Sequence, residues 1–255
     1  MKRFFLVMFA LGLAFVSSCT EDNSTNPNEL DGNTNIPISE VGSEFGVYLE
    51  IEGDNSGVLD KVRDSVVVSK RENGVTTVSA EFVIDEASVM KLDTILGLQD
   101  LSEEVKRGIL DEYLGRFNAK LDTTDKQNIT LKADLMGKIT DKGIQDYVYS
   151  GGDTDKPFTL IKYDAKVGDT YSFTDDEGNT FTRKVVSKST DDDYELGFLY
   201  IKVYKIEETQ ENDPLVDKIT YYANHKFGLV GIEIEMKGGV KASSTILPWA
   251  VLSGF

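Results

Sequence analysis

A second cysteine is missing: Cys19 is alone in 255 residues, so no disulfide can form within the chain and noncovalent packing must hold the fold. Histidine is equally scarce, with His225 the single imidazole, and no Gly-x-Ser-x-Gly elbow accompanies it. A nucleophile–base–carboxylate triad and the usual zinc ligand sets therefore lack their parts. His225 is expected in a turn before Phe227-Gly228. Cations are outnumbered, 27 Lys and Arg against 44 Asp and Glu, leaving a formal charge of −17. Nucleic acid and anionic lipid surfaces are repelled by that balance, and nucleic acid is not an expected partner. After Val16 no segment approaches the roughly 20 apolar residues that a membrane-spanning helix needs.

What is present starts with Lys2 and Arg3, an apolar run from Phe4 to Val16, and the small residues Ser17 and Ser18. A basic start, a short apolar stretch and small residues form the pattern of a cleaved signal peptide. Val16-Ser17-Ser18-Cys19 resembles the bacterial lipobox, whose cysteine is acylated and becomes the mature N-terminus. The alternative is ordinary cleavage beside a free cysteine, since Val16 and Ser18 also suit a general signal peptidase. The lipobox reading makes residues 1–18 a lipoprotein signal peptide and Cys19 the lipidation site, palmitate included. Several acyl chains give stable membrane attachment where one is marginal. Loss of Lys2 and Arg3 on cleavage takes the charge from −17 to −19. Glu21 and Asp22 resemble the export signal of Bacteroidota surface lipoproteins. The expected location is the outer membrane, on its periplasmic or surface face.

Residues 19–40 are rich in Asn, Thr, Asp, Pro and Gly and contain no aromatic side chain. Such a stretch buries too little apolar area to fold and reads as a flexible tether. Residues 41–255 are expected to form one β-rich globular domain, since 40% hydrophobic content supplies a core.

In that domain period-two alternation dominates, as in Val47, Leu49 and Ile51 set against Tyr48, Glu50 and Glu52. Val62 to Lys70 and Val75 to Ile84 flank Arg71-Glu72-Asn73-Gly74, whose Asn-Gly supplies the positive φ angles of a tight hairpin. Tyr171 to Thr174 with Thr180 to Ser187, and Leu229 to Met236 with Val240 to Ile246, read as two more hairpins. Leu196 to Glu207 is apolar on both faces and reads as a central strand covered on both sides. Val230, Ile232, Ile234 and Met236 alternate with Gly231, Glu233, Glu235 and Lys237, which predicts a strand with one face in water. One helix is expected between about Leu101 and Leu121, capped by Asp100 or Ser102, with Glu103 and Glu104 in its first turn. Its apolar residues recur every four positions from Leu101 to Leu121, so the band winds around the axis. The expected fold class is α+β, predominantly antiparallel β, a strongly bent sheet packed around one main helix.

Acidic clusters at Asp153-Thr154-Asp155, Asp175 to Asn179 and Asp191 to Asp193 fall in expected loops. None has EF-hand spacing, and turns favour Asp and Asn regardless of ligands. If calcium binds, Asp153 and Asp155 are the first candidates; otherwise no cofactor is expected. Asn23-Ser24-Thr25 and Asn128-Ile129-Thr130 match the glycosylation triplet, which the bacterial lipobox discounts. Trp249 is either a core residue or an exposed recognition aromatic.

Val167-Gly168-Asp169-Thr170-Tyr171 and Ile219-Thr220-Tyr221-Tyr222-Ala223, leading to Phe227-Gly228-Leu229-Val230, resemble the C-terminal β-region of Bacteroidota lipoproteins of undefined role. The resemblance covers Tyr163 to Leu247 and implies an exported β-domain without catalytic residues. The function expected from all this is a non-enzymatic binding or scaffolding role in the cell envelope or at the surface, with a protein partner. The alternative is carriage of an apolar ligand or lipid in a half-barrel. In that case Ile109, Tyr113 and Phe117 face inward from the helix, and Phe198, Tyr200 and Tyr204 form the opposite wall. A hydrolase is a third reading, without a recognisable site.

Overall fold

The alternating segments become one long antiparallel sheet. A computed structural model describes residues 28, 30–54, 57–125, 127–210, 213 and 215–249. The signal peptide, Cys19, residues 20–27 and the Asn23 triplet lie outside them. Strands β1 (Glu44–Ile51), β2 (Arg63–Glu72) and β3 (Val75–Asp85) lead into helices α1 (Glu86–Ile95) and α2 (Glu103–Arg116). Strands β4 (Ala119–Asp122), β5 (Asn128–Thr140), β6 (Gly143–Asp146) and β7 (Phe158–Lys162) follow. The second half comprises β8 (Thr170–Thr174), β9 (Thr180–Lys188), β10 (Tyr194–Leu196), β11 (Leu199–Ile201), β12 (Tyr204–Gln210), β13 (Val216–Asn224), β14 (Gly228–Met236) and β15 (Lys241–Pro248).

The main sheet runs in the order β7-β6-β5-β3-β2-β1-β15-β14-β13-β12-β9-β8, with β4 also beside β5. Its two ends meet: the Lys162 amide on β7 donates to the Tyr171 hydroxyl on β8 at 3.2 Å. The sheet is thus a nearly closed barrel with a seam between β7 and β8. Inward positions of distant strands share one core, in which Val78, Phe82, Leu131, Ile144, Ile206 and Leu229 are at most 1% exposed. Phe82 sits opposite Leu131 and Val78 opposite Leu135, the cross-strand pairing that stabilises a half-buried ladder. Asn73 (φ 50°) and Gly74 (φ 79°) turn β2 into β3, and all three expected hairpins are present.

Two helices replace the single one expected. α1 starts where Asp85 accepts from the Ser88 amide at 2.9 Å, a cap worth about 1 kcal/mol. α2 is capped by Ser102, which accepts from the Val105 amide at 3.3 Å. It ends at Arg116 rather than Leu121, because Asn118 takes a left-handed conformation (φ 47°) and Leu121 joins β4. Its buried residues are Lys106, Ile109 and Leu110, while Val105 is exposed, so the expected winding band becomes one buried face. Lys106 donates to Asp93 of α1 at 3.0 Å and ties the two helices together.

Leu196 to Glu207 is not one strand. Gly197 adopts φ 62°, and Leu196 turns back onto Leu199 in a separate two-stranded hairpin of β10 and β11. That hairpin folds over the outside of the barrel. It covers Val230 and Leu247, whose chain neighbours Leu229 and Ile246 belong to the inner core. Val230 points outward, against expectation, because a bulge pairs Tyr222 with Gly231 but Ala223 with Leu229, and the extra residue reverses its face.

The tether reading also changes. Asn28, Leu30 and Ile38 are 9%, 2% and 2% exposed, so residues 28 and 30–40 belong to the folded body. Hydrogen bonds from the barrel and the burial of Leu30 and Ile38 together hold this largely polar stretch.

Candidate functional site

The sequence pattern puts one long cation where a core residue belongs. In β9 the inward positions are Phe181, Arg183 and Val185, and Arg183 is 1% exposed. Across the interior, Asp146 closes β6 and Glu208 follows Tyr204 and Ile206 on the inward face of β12. Arg183 Nη1 donates to Asp146 Oδ2 at 2.5 Å and Nε donates to Glu208 Oε2 at 2.6 Å. Nη1 also donates to the Phe158 carbonyl at 3.3 Å. The Tyr149 hydroxyl donates to Glu208 Oε1 and that of Tyr221 to Oε2.

Aromatic rings enclose these charges. The Arg183 guanidinium lies 3.9 Å from the Phe158 ring centroid, a desolvated cation–π contact worth about 2 kcal/mol. Tyr149 lies against Phe181 at 3.8 Å between centroids, and Phe173 is 5.5 Å from Phe158. α2 adds a second ion group on top. Arg116 lies over Tyr113 at 4.8 Å and Tyr149 at 5.2 Å, and its Nη2 donates to Glu112 at 2.7 Å. The Tyr113 hydroxyl donates to Asp213 Oδ2 at 2.7 Å, and Arg116 Nη1 is 3.6 Å from the same oxygen.

Burial pushes the Asp146 carboxyl above its ordinary range; Arg183 pulls against that rise and Glu208 adds to it. Burial alone would lower Arg183, but Asp146 and Glu208 hold its guanidinium protonated well above its usual value. Burial, then Glu208, raises both Tyr149 and Tyr221. Chemically this is a closed lock, one guanidinium held between two carboxylates. Its donors and acceptors point at each other, and Asp146, Arg183 and Glu208 are at most 2% exposed.

The residues singled out from sequence do not assemble around one space. Ile109 is in the main core. Tyr113 binds Asp213, and Phe117 stacks on Tyr113 at 6.3 Å. Tyr204 is inside the barrel, its hydroxyl donating to the Tyr163 carbonyl. Phe198 and Tyr200, 70% and 62% exposed, lie outside on the β10–β11 hairpin. Asp153 and Asp155 sit in the exposed loop after β6, where Asp153 Oδ1 accepts from the Asp155 amide at 3.0 Å. Among the described residues no group of three His, Cys, Asp or Glu side chains converges to hold a metal. His225 occupies the β13–β14 turn with Tyr163 edge-on at 6.4 Å. Trp249 is 40% exposed, with its ring against Gly46.

Sequence reasoning missed Arg183, Asp146, Glu208 and Asn28. The signal for Arg183 was its place between Phe181 and Val185 on the alternating face. Nothing local marks its partners. An open concavity of about 530 Å³ lies at the other end of the seam, between Asp31, Asp141, Lys142, Lys162 and Asp164; its walls are mostly charged. Among the described residues no helix is long and apolar enough to cross a membrane.

No protein-family model matches the chain, and no curated protein matches it by sequence. Two solved structures are similar to it. One is a Bacteroides fragilis protein described as exported and YmcC-like in fold, 8% identical at TM-score 0.41, the match covering 83% of this chain and 96% of that one. The other is a Parabacteroides distasonis protein described as a lipoprotein, 12% identical at TM-score 0.37, covering 83% of this chain and 95% of that one.

Proposed function

We propose that this chain is an exported lipoprotein, anchored through Cys19, whose barrel binds or scaffolds a protein partner in the envelope and carries out no catalysis. The observation behind this reading is the sealed ion cluster: Asp146, Arg183 and Glu208 are each at most 2% exposed and are consumed by one another. Acid–base work requires a group within hydrogen-bond reach of a substrate. These groups serve the fold instead. The scaffold reading also draws on geometry near the anchor. Nine residues from Cys19 to Asn28 reach at most about 30 Å when fully extended, so the barrel works close to the headgroups.

The test is mass spectrometry of the intact protein purified from its own membrane. The expected mass lacks residues 1–18 and carries acyl groups on Cys19, and no apolar ligand copurifies after detergent exchange. An unacylated Cys19 refutes the anchor. A stoichiometric lipid in the barrel refutes the scaffold in favour of the carrier.

A further inference from the structure

The seam between β7 and β8 carries a second set of contacts, all made by the segment just before β1. Asn28 Nδ2 donates to the Ser172 carbonyl on β8 at 2.9 Å. The Asn28 carbonyl accepts from Gln145 Nε2 on β6 and from Thr159 Oγ1 on β7, the latter at 3.0 Å. Gln145 and Thr159 are fully buried and Asn28 is 9% exposed. One residue thus touches both lips of the seam. The contacts continue across the end of the barrel. Thr140 Oγ1 donates to the Asp31 carbonyl at 2.9 Å, the Asn33 amide to Asp141 Oδ1 at 2.7 Å, and Arg71 Nη2 to the Thr34 carbonyl at 2.7 Å. Leu30 is buried beside Gly143 of β6.

We propose that residues 28 and 30–34 are a strap that laces the seam shut, with Asn28 as its clasp, and that the seam is where this barrel opens. Elsewhere around the barrel, backbone pairing joins each strand to its neighbours, over as few as two residue pairs between β1 and β2. At β7 and β8 the strand path ends, and among the described residues side-chain contacts rather than a ladder join the lips: the Asn28 clasp, the Tyr171–Lys162 contact and the Phe158–Phe173 ring pair. Opening there breaks side-chain contacts and leaves every backbone ladder intact, so the seam is the place for a local opening. Releasing the clasp frees two strand edges beside the cluster of Phe158, Phe173 and Phe181. The strap begins nine residues after Cys19, so an anchored chain carries its clasp beside its membrane attachment; that clause alone rests on the lipoprotein reading.

Hydrogen–deuterium exchange on the full chain tests the strap, comparing the native protein with Asn28→Ala and with Thr159→Val. Asn28→Ala removes the donor to Ser172, and Thr159→Val removes a donor from β7. Each is expected to speed amide exchange in residues 158–162 and 170–174 at least ten-fold while β1 and β15 exchange as before. Unchanged exchange at both lips overturns the proposal. Equal acceleration in every strand also overturns it, since Asn28 is then an ordinary stabilising contact. Should Asn28→Ala fail to fold, Thr159→Val gives the same reading by itself. None of these outcomes depends on acylation of Cys19.

Discussion

Arg183 Nη1 donates to Asp146 Oδ2 at 2.5 Å across the barrel interior, joining β9 to β6, two strands that are not neighbours in the sheet. A single guanidinium therefore does between these strands what a backbone ladder does elsewhere. Its removal leaves Asp146 and Glu208 buried together without a counter-charge.

Arg183→Met is expected to cost about 3–5 kcal/mol, the range for breaking a buried ion group from one side. Replacing Asp146 and Glu208 in the same chain with apolar residues of similar size should recover most of that loss, since the desolvation cost disappears with the charges. Urea unfolding of the single and triple variants measures both. A triple variant less stable than the single one contradicts the account.

Asp146 gives the pH dependence a definite sign. Its carboxyl is raised in the folded state, chiefly by burial, with Arg183 opposing and Glu208 assisting. A group raised on folding contributes stability that is fully present below its unfolded value, near 3.8, and is lost as pH rises through the folded value. The stability of the native protein relative to Asp146→Asn should therefore increase as the solution is acidified from neutral pH. Urea titrations at several pH values check it, and a difference that shrinks on acidification shows that Arg183 outweighs burial.

Gly231 is fitted to the outer hairpin. A Cβ there would lie 2.1 Å from the Tyr194 hydroxyl oxygen and 3.3 Å from its Cζ. Gly231→Ala should cost about 1–3 kcal/mol, as overpacking commonly does. Tyr194→Phe in the same chain should relieve most of it by removing the clashing oxygen. Thermal melts of both variants decide, and no relief in the pair means that the hairpin is not what Gly231 accommodates.

Cys19→Ser should move the protein from the membrane to the soluble fraction, because no other anchor is read in the sequence. Cell fractionation followed by immunoblotting measures this. Firm membrane attachment of the variant removes the lipobox argument.

Calcium is expected to leave the melting temperature unchanged. Asp153 spends one carboxylate oxygen on the Asp155 amide at 3.0 Å, and the Asp175 oxygens accept from Asn179 and Glu177. Melting in chelator and in excess calcium tests it. A calcium-specific rise of several degrees marks a real site.

Where information was local, the sequence sufficed. Asn73-Gly74 specifies its hairpin because two adjacent residues take positive φ, and the strands beside it alternate because a pleated strand has two faces. The scarcity of cysteine and histidine set the chemistry that the fold has to do without. Both helices depended on more than pattern. α1 is only ten residues long, and Leu121 continues the spacing of α2 although it belongs to a strand. The bulge at Val230 and the turn at Gly197 reassign faces by a single residue, which alternation alone does not register.

The clasp and the ion cluster were decided by tertiary structure. Asp146 and Glu208 are 37 and 25 residues from Arg183, and Asn28 is 144 from Ser172. A polar stretch such as 28–40 reads as unfolded when only its own apolar content is counted. Residues 28 and 30–40 fold because the barrel offers the Ser172 carbonyl and two buried donors, Gln145 and Thr159, and because Leu30 and Ile38 are buried against it. The sequence by itself determined strands, turns and the expected anchor, since those depend on neighbours in the chain. Which polar groups are buried, and against what, was settled only when the sheet curved far enough for its two ends to meet.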